Sequence, residues 1–442
     1  MQAVNFTNHL LIQTVFMQSG RNAVLPSLHS LQWHSQSRIA NDIDALPLFF
    51  TATLRCVTID LDWANDETLI PVLRSLHKIS PSLEKIVVKA GPKLSATGGL
   101  SLVGALICFV RLHTIHIPQI QGFDSFRILA TKPNLKQLDF RATGSWVDPH
   151  HAVSLDNLCE LSVTGDLSDL SGLFTHVHFQ VLKCATITLG YSTASCIAMG
   201  DLPHFLALFY KAVSGSALER FDFVIHMVSH LLIPPVNQPP LRDLLAPILP
   251  IHTLRSFSMR AVDTLVSLRV HDSDIEAFAD AWPEIECLSL FPSSLSHHPR
   301  LSFNVVHHLY RRCPNLRDLL IPPLSWPVIG VHSIPPPLDG SPRHPLRYFS
   351  TEYQFAVMTE KRPLPSRRTD GEAEAIARYL LDLFPNLDPQ RYKCHLDEVD
   401  STGGVWGWLR AGPREGTGPP LMGRWINVVR HIYAISSARD EV

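Results

Sequence analysis

The sequence predicts an α/β solenoid, in which short parallel strands form one curved sheet and helices cover its outer face. Three observations favour this class. The phrase Leu-x-x-apolar-x-apolar recurs along the chain, its first positions lie 23 to 36 residues apart, and helical patterns ending at a proline precede several copies. No single short strand buries its apolar face alone, so stacked copies must share one core. A period of this length carrying this phrase indicates an irregular leucine-rich repeat.

Each copy of the phrase predicts one strand, as in "KPNLKQLDFRA". Side chains alternate between the two faces of a strand, so the fourth and sixth positions of the phrase, such as Leu138 with Phe140, point inward together. A second run, "LVSLRV" from Leu265, leaves the register open around residues 254–270. The first positions of the copies are Leu28, Leu54, Leu83, Leu112, Leu135, Leu158, Leu182, Leu218, Leu254, Ile285, Leu316 and Leu346.

The helices come from apolar residues at a spacing of three and four. The stretch from Leu69 to Ile79 has this spacing before the phrase "SPSLEKIVV". Ser273 with Glu276 predicts a capping box at the start of a later helix, and Ser302 predicts the cap of the next one. A proline follows each helix and cannot continue it, so the chain turns into the next strand.

The expected organisation has four parts, set by the repeats and by two breaker-rich stretches. They are an N-terminal helix as an incomplete cap (1–24), the repeats (25–358) with proline-rich loop inserts at 231–241 and 322–345, a linker (359–371) and a C-terminal helical cap (372–442).

Composition excludes several classes of function. The net charge is −2 and the pI is about 6.9, which gives no general attraction for nucleic acid or anionic membranes. The longest apolar run, Leu100–Val110, is far shorter than the roughly 20 residues of a membrane span. Eight scattered cysteines form no C-x-x-C pair. The sequence therefore predicts an intracellular protein, cytoplasmic or nuclear, that binds neither nucleic acid nor membrane.

Catalytic and metal-binding motifs are missing from the sequence. Phosphate-binding, nucleophile-elbow and zinc-protease patterns are all absent. The 23 histidines include adjacent pairs, whose side chains would point to opposite faces of a strand and so rarely bind one ion. They also include His113-x-x-His116, but no acid or cysteine stands at ligand spacing beside those two. We expect no catalytic residue, no metal and no cofactor. The alternative is a loop-built hydrolase that uses His116 with Asp139, which lie one repeat apart.

Two phrases resemble a known family. The irregular repeats, "DSDIEAFADAWPEIECLSL" (Asp272–Leu290) and "AIARYLLDLFPNL" (Ala375–Leu387) resemble the leucine-rich-repeat proteins of mushroom-forming fungi that usually carry an F-box. The resemblance implies a receptor that delivers client proteins to a cullin-type ubiquitin ligase. Members dock on the ligase adaptor through an F-box that begins with Leu-Pro. Here Leu25-Pro26 leads straight into a repeat, so we expect that docking element to be missing and an adaptor to bind only if an F-box lies upstream.

The functional hypothesis is a non-enzymatic solenoid whose concave strand face binds a client protein. A mixed-charge face without an aromatic ladder favours a protein over single-stranded nucleic acid. A non-functional remnant is a further alternative, and the client, the regulation and the oligomeric state stay open. The expected binding positions are the outward residues between the paired apolar ones, namely Gln32, Thr58, Val87, His116, Asp139, Ser162, Thr186, Asp222, Ser258, Arg269, Ser289, Leu320 and Ser350.

Overall fold

The computed structural model places strands and helices in two compact units. Unit 1 comprises residues 1–195 and 204–218, and unit 2 comprises residues 196–203 and 219–442. The structure describes residues 25, 27–35, 46–61, 66–90, 96–144, 146, 152–190, 199–226, 239–262, 270–291, 301–322, 324–325, 344–351, 370–391 and 422–440.

Unit 1 alternates strands with helices along the chain. Its strands are β1 (Ser30–Ser35), β2 (Cys56–Leu61), β3 (Lys85–Ala90), β4 (Thr114–His116), β5 (Ile120–Gln121), β6 (Gln137–Thr143), β7 (Val153–Leu155), β8 (Glu160–Gly165), β9 (Val177–Phe179) and β10 (Cys184–Leu189). Its helices are α1 (Asp66–Ile79), α2 (Ala96–Ile107), α3 (Gly122–Ala130), α4 (Leu167–His176) and α5 (Leu202–Val213, in this unit from His204), with a 3₁₀ turn at Leu46–Phe49. The 3₁₀ turn Met199–Asp201 belongs to unit 2.

The main sheet of unit 1 is parallel throughout the described residues. Its strand order is β1-β2-β3-β4-β6-β8-β10, and β5 adds a short parallel pairing to the end of β6. Parallel neighbours need a crossover between them. Helices α1, α2, α3 and α4 lie in the crossovers β2–β3, β3–β4, β4–β6 and β8–β10, whereas the β1–β2 connection contains a 3₁₀ turn and the β6–β8 connection contains β7. A separate two-stranded parallel sheet joins β7 to β9, an element that the sequence did not predict.

Unit 2 repeats the same plan. Its strands are β11 (Arg220–His226), β12 (Ser256–Val262), β13 (Cys287–Phe291), β14 (Asp318–Leu320) and β15 (Tyr348–Ser350), and they pair in parallel in that order. Its helices are α6 (Leu241–Leu245), α7 (Asp272–Ala281), α8 (Asn304–Arg312), α9 (Asp370–Leu383) and α10 (Met422–Asp440), with a 3₁₀ turn at Ala246–Ile248. Helices α9 and α10 pack against each other.

Each strand buries one face, as the recurring phrase predicts. Leu138 and Phe140 on β6 are both 2% exposed, whereas Asp139 between them is half-buried. The helices cover the apolar face of the sheet. In unit 2, for example, the Trp282 ring at the end of α7 lies 4.9 Å from the ring of Phe257 on β12. Burial of these aliphatic and aromatic side chains stabilises each core.

A turn and a ladder of hydrogen bonds precede the strands. The first leucine of several copies donates its N–H to the carbonyl three residues back, as Leu83 does to Ser80 at 3.3 Å. The next residue donates to its counterpart in the preceding copy, as Glu84 does to Arg55 at 2.8 Å. We call these next residues the lead row. They are His29, Arg55, Glu84, His113, Lys136, Cys159 and Lys183 in unit 1, and Glu219, Arg255, Glu286, Arg317, Arg347 and Asp388 in unit 2.

Asp388 extends the ladder beyond the last predicted copy. Its N–H donates to the Arg347 carbonyl at 2.8 Å, and Leu387 makes the same turn with Phe384. Asn386 also donates from its side-chain amide to the His344 carbonyl at 3.0 Å. The phrase "FPNLD" therefore continues the repeat at the point where the sequence predicts a cap.

Both predicted helix caps are wrong. Helix α7 is capped by His271, and Asp274 supplies the third-position carboxylate in place of Glu276. Asp274 is fully buried, and its two oxygens accept the His271 N–H at 2.7 Å and the Arg242 N–H of α6 at 2.9 Å. Ser302 does not cap α8; instead its own N–H donates to Asp272 at 2.8 Å. Carboxylates on α7 therefore bind backbone groups on both sides of their own repeat.

Other expectations meet the structure only in part. Ile79 ends α1 at 39% exposure, whereas Leu69, Leu73 and Leu76 on the same helix are fully buried. The N-terminal segment 1–24 and the linker 359–371, apart from 370–371 in α9, lie outside the described residues. So do most of the proline-rich inserts 231–241 and 322–345. The four-part division of the chain stays a prediction.

A candidate interaction face

The predicted binding positions that the structure describes form an in-register row within each unit. We call them the central row. In unit 1 the backbone register pairs Gln32, Thr58, Val87, His116, Asp139, Ser162 and Thr186 in that order. In unit 2 it pairs Asp222, Ser258, Ser289, Leu320 and Ser350. The register inferred from the phrase therefore agrees with the pairing of the strands.

Not every position in the row offers a surface. Gln32 is exposed and most of the others are half-buried. Ser289 and Ser350 are buried, at 7% and 5% exposure, so their side chains present little area to a partner. Arg269 lies outside the described residues, so its place on this face stays a prediction.

His116, Asp139 and Ser162 form a hydrogen-bonded group at the middle of the unit 1 row. The Nδ1 atom of His116 lies 3.1 Å from Oδ2 of Asp139 across neighbouring strands. Burial of the Asp139 carboxyl acts to raise its pKa, but hydrogen bonds from His116 and Ser162 outweigh burial and lower the pKa below its usual value. Asp139 therefore stays ionised and fixes the orientation of the imidazole.

A second histidine–aspartate pair occupies the next outward position along the strands. His34 Nδ1 lies 3.2 Å from Oδ2 of Asp60, and the Lys89 ammonium lies 4.0 Å from the same oxygen. The three residues are in register on β1, β2 and β3. In both groups a histidine on one strand faces an aspartate on the next.

The face of unit 2 carries arginine–carboxylate pairs. Glu286 accepts from Arg255 at 3.2 Å through Oε1 and approaches Arg317 at 3.3 Å through Oε2. Asp318, in the adjacent position, binds Arg391. From Arg255 through Glu286 to Arg317 the charges alternate across the strands, an arrangement that stabilises a sheet surface and presents mixed charge to a partner.

The order of the His116 group does not match a nucleophilic triad. In a triad, the hydroxyl is hydrogen-bonded to one imidazole nitrogen of the histidine and the carboxylate to the other. Here Ser162 bonds to Asp139, and among the described residues no Ser or Cys side chain bonds to His116. Within the same residues no cluster of three or more His, Cys, Asp or Glu is placed to hold a metal ion. Among the described residues, the only hydroxyl of this group, that of Ser162, therefore bonds to the carboxylate and not to the imidazole.

Two of the histidines outside the central row, His344 and His307, have structural roles. His344 is 4% exposed, its Nε2 lies 2.9 Å from the Cys313 carbonyl and its Nδ1 accepts the Leu346 N–H at 3.3 Å. Burial lowers the pKa of His344, so the ring is neutral with its proton on Nε2. His307 on α8 binds the hydroxyl of Tyr379 on α9. The pairs at 150–151 and 297–298 lie outside the described residues.

Comparisons with known proteins add no family to these observations. The chain matches no protein-family model, and a search of curated proteins returns no match. Among the described residues, none of the helices combines the length and the apolar character that a membrane crossing requires.

Proposed function

We propose that this chain is a leucine-rich-repeat protein whose polar sheet face binds another protein, without catalysing a reaction. The observation that carries the proposal is the central row, in which residues from successive copies stand side by side in register. Such a row offers an extended surface on a rigid backbone, and repeat proteins use surfaces of this kind for binding.

The surroundings of the row support a protein partner. Histidine, carboxylate, lysine and arginine side chains share the face, and several already bind one another. Mixed charges of this kind give an interface specificity and steer association, but they do not attract phosphate backbones generally. The net charge of −2 agrees with this preference.

The order of the hydrogen bonds around His116 favours binding over catalysis. A hydrolase would need a nucleophile at the free side of the imidazole, and Asp139 instead holds both His116 and Ser162. Hydrogen-bonded polar networks on a sheet fix side-chain directions in advance. Fixed directions reduce the entropy lost when a partner binds.

The resemblance to fungal F-box proteins would make the partner a client for ubiquitination. The resemblance rests on sequence phrases alone. Mapping the 5′ end of the natural transcript tests it, because an F-box encoded upstream would supply the ligase docking element. Direct binding of the full translated protein to the purified ligase adaptor would then be measured.

The binding face itself is tested by site-specific photocrosslinking. A photoreactive phenylalanine analogue replaces Thr186 on the face, and Glu374 on α9 in a matched control. Proteins crosslinked at Thr186 but not at Glu374 are then purified and titrated against the wild-type chain by calorimetry. Direct, saturable binding supports the proposal. If every protein crosslinked at Thr186 is also crosslinked at Glu374, or none binds directly, the proposal is wrong.

A further inference from the structure

The lead row of unit 2 carries a charge pattern with one irregularity. From Glu219 to Asp388 its side chains read acid, base, acid, base, base, acid. Arg317 and Arg347 are therefore direct neighbours, linked by the hydrogen bond from the Arg347 N–H to the Arg317 carbonyl at 2.8 Å. Elsewhere in the described lead rows no two like charges are adjacent. Like charges on neighbouring strands destabilise a sheet, so this pair is a local exception to the alternating pattern.

The acids nearest to this pair are occupied. Glu286 uses one oxygen for Arg255 and the other for Arg317. Asp318 binds Arg391. Asp388, the neighbour of Arg347 on the other side, turns back to accept the N–H of Gln390 at 2.9 Å. Among the described residues, the Arg347 guanidinium forms no ion pair.

Both arginines are open to a partner. The Arg317 side chain is 56% exposed, and Arg347 is also exposed. Neighbouring parallel strands lie about 4.8 Å apart, so a single carboxylate can reach both guanidinium groups. Guanidinium groups bind carboxylates through paired, charge-assisted hydrogen bonds, which favour a planar acid over a neutral side chain.

We propose that Arg317 and Arg347 bind a carboxylate of an acidic, extended segment in the partner protein. This inference rests on the proposed function, because it assigns the chemistry of the partner at one end of the unit 2 face. The counter-charge that Arg347 lacks among the described residues then comes from the partner. A peptide carboxylate is preferred to a nucleic acid because a single planar acid between the two guanidinium groups satisfies both arginines. A continuous run of phosphates would also meet Glu286, Asp318 and Asp388, which repel it.

The test titrates the full chain with a short fluorescein-labelled peptide of alternating Glu and Gly residues, followed by fluorescence anisotropy at low salt. A peptide of alternating Gln and Gly is the neutral control. Wild type should bind the acidic peptide more tightly, and Arg347→Glu should weaken that binding about fivefold or more. Arg378→Glu, an exposed arginine on α9, should leave it unchanged. Arg347→Gln is the second variant, and far-ultraviolet circular dichroism checks that each variant is folded.

Three results would overturn the inference. They are equal binding of the acidic and neutral peptides, equal affinity of Arg347→Glu and wild type, or tighter binding of a single-stranded RNA than of the acidic peptide. None of them decides the proposed function, because the photocrosslinked partner is tested at the central row. A partner that depends on the central row but tolerates Arg347→Glu rejects this inference alone.

Discussion

The buried carboxylate of Asp274 is expected to be one of the most important single side chains for the stability of unit 2. Asp274→Ala removes the acceptor of two backbone N–H groups, those of His271 and Arg242, and leaves both without a partner. A hydrogen bond to a charged acceptor contributes about 1.5–3 kcal/mol, and a buried donor left unpaired is costly. The expected loss is therefore about 3–5 kcal/mol.

Two further variants make this prediction specific. Asp274→Asn should cost about half as much, because its carbonyl oxygen can accept one N–H while its amide group faces the other donor. Glu276→Ala, at an exposed position on the same helix, should change the free energy of unfolding by about 0.5 kcal/mol or less. Urea titration followed by circular dichroism measures the loss. Hydrogen exchange of residues 239–291 locates it. If Asp274→Ala and Glu276→Ala cost the same, the carboxylate does not join the two repeats.

Three other predictions follow from buried groups and turns. Because burial lowers the pKa of His344, the unfolded chain binds the proton more readily. Stability should therefore fall as pH drops below about 6.5, more steeply in wild type than in His344→Gln, and parallel pH curves would contradict this. Val110 is 75% exposed and occupies the turn position that proline occupies in neighbouring copies. Val110→Pro should therefore raise the free energy of unfolding by about 0.4–1 kcal/mol in urea titrations. A lower free energy of unfolding would show that this turn is incompatible with proline. A Cβ at Gly172 would lie 2.8 Å from Cβ of Trp146, so Gly172→Ala should lower the stability of the chain by about 1–3 kcal/mol in thermal unfolding. A Cβ at Gly104 meets no atom within 4 Å, so Gly104→Ala should stabilise the chain. Equal effects of the two variants would refute the close contact at Gly172.

The repeating register could be predicted because it depends on local signals. An apolar phrase with period two and a turn before it determine which side chains point inward, and stacking then aligns equivalent positions. The His116–Asp139 contact followed from this reasoning: residues one repeat apart lie side by side, and the 3.1 Å separation confirms it.

The helix caps could not be predicted in the same way, because the caps involve neighbouring repeats. Asp274 caps α7, but it also accepts the Arg242 N–H, and Ser302 donates to Asp272 instead of capping its own helix. A serine followed three residues later by glutamate, as at Ser273, describes one helix in isolation. The sheet formed by β7 and β9 was missed for a related reason, since each strand is only three residues long.

The charges of the lead row can be read from the sequence, but the unpaired state of Arg347 among the described residues cannot. The residues after each first leucine are printed in the chain, yet only the hydrogen-bond ladder shows that Arg317 and Arg347 are neighbours. Whether Glu286, Asp318 and Asp388 bind other groups depends on the directions of their side chains. Those directions cannot be derived from spacing.

The most direct test of the proposed function is charge reversal in the central row. The double variant Asp139→Lys with Asp222→Lys is titrated by calorimetry against the partner recovered by photocrosslinking at Thr186. Glu374→Lys on α9 is the matched control, and circular dichroism confirms that both proteins are folded. The account predicts that the double variant binds at least about tenfold more weakly, a change of about 1.4 kcal/mol, while the control binds normally. Equal affinity of the double variant and wild type would contradict it.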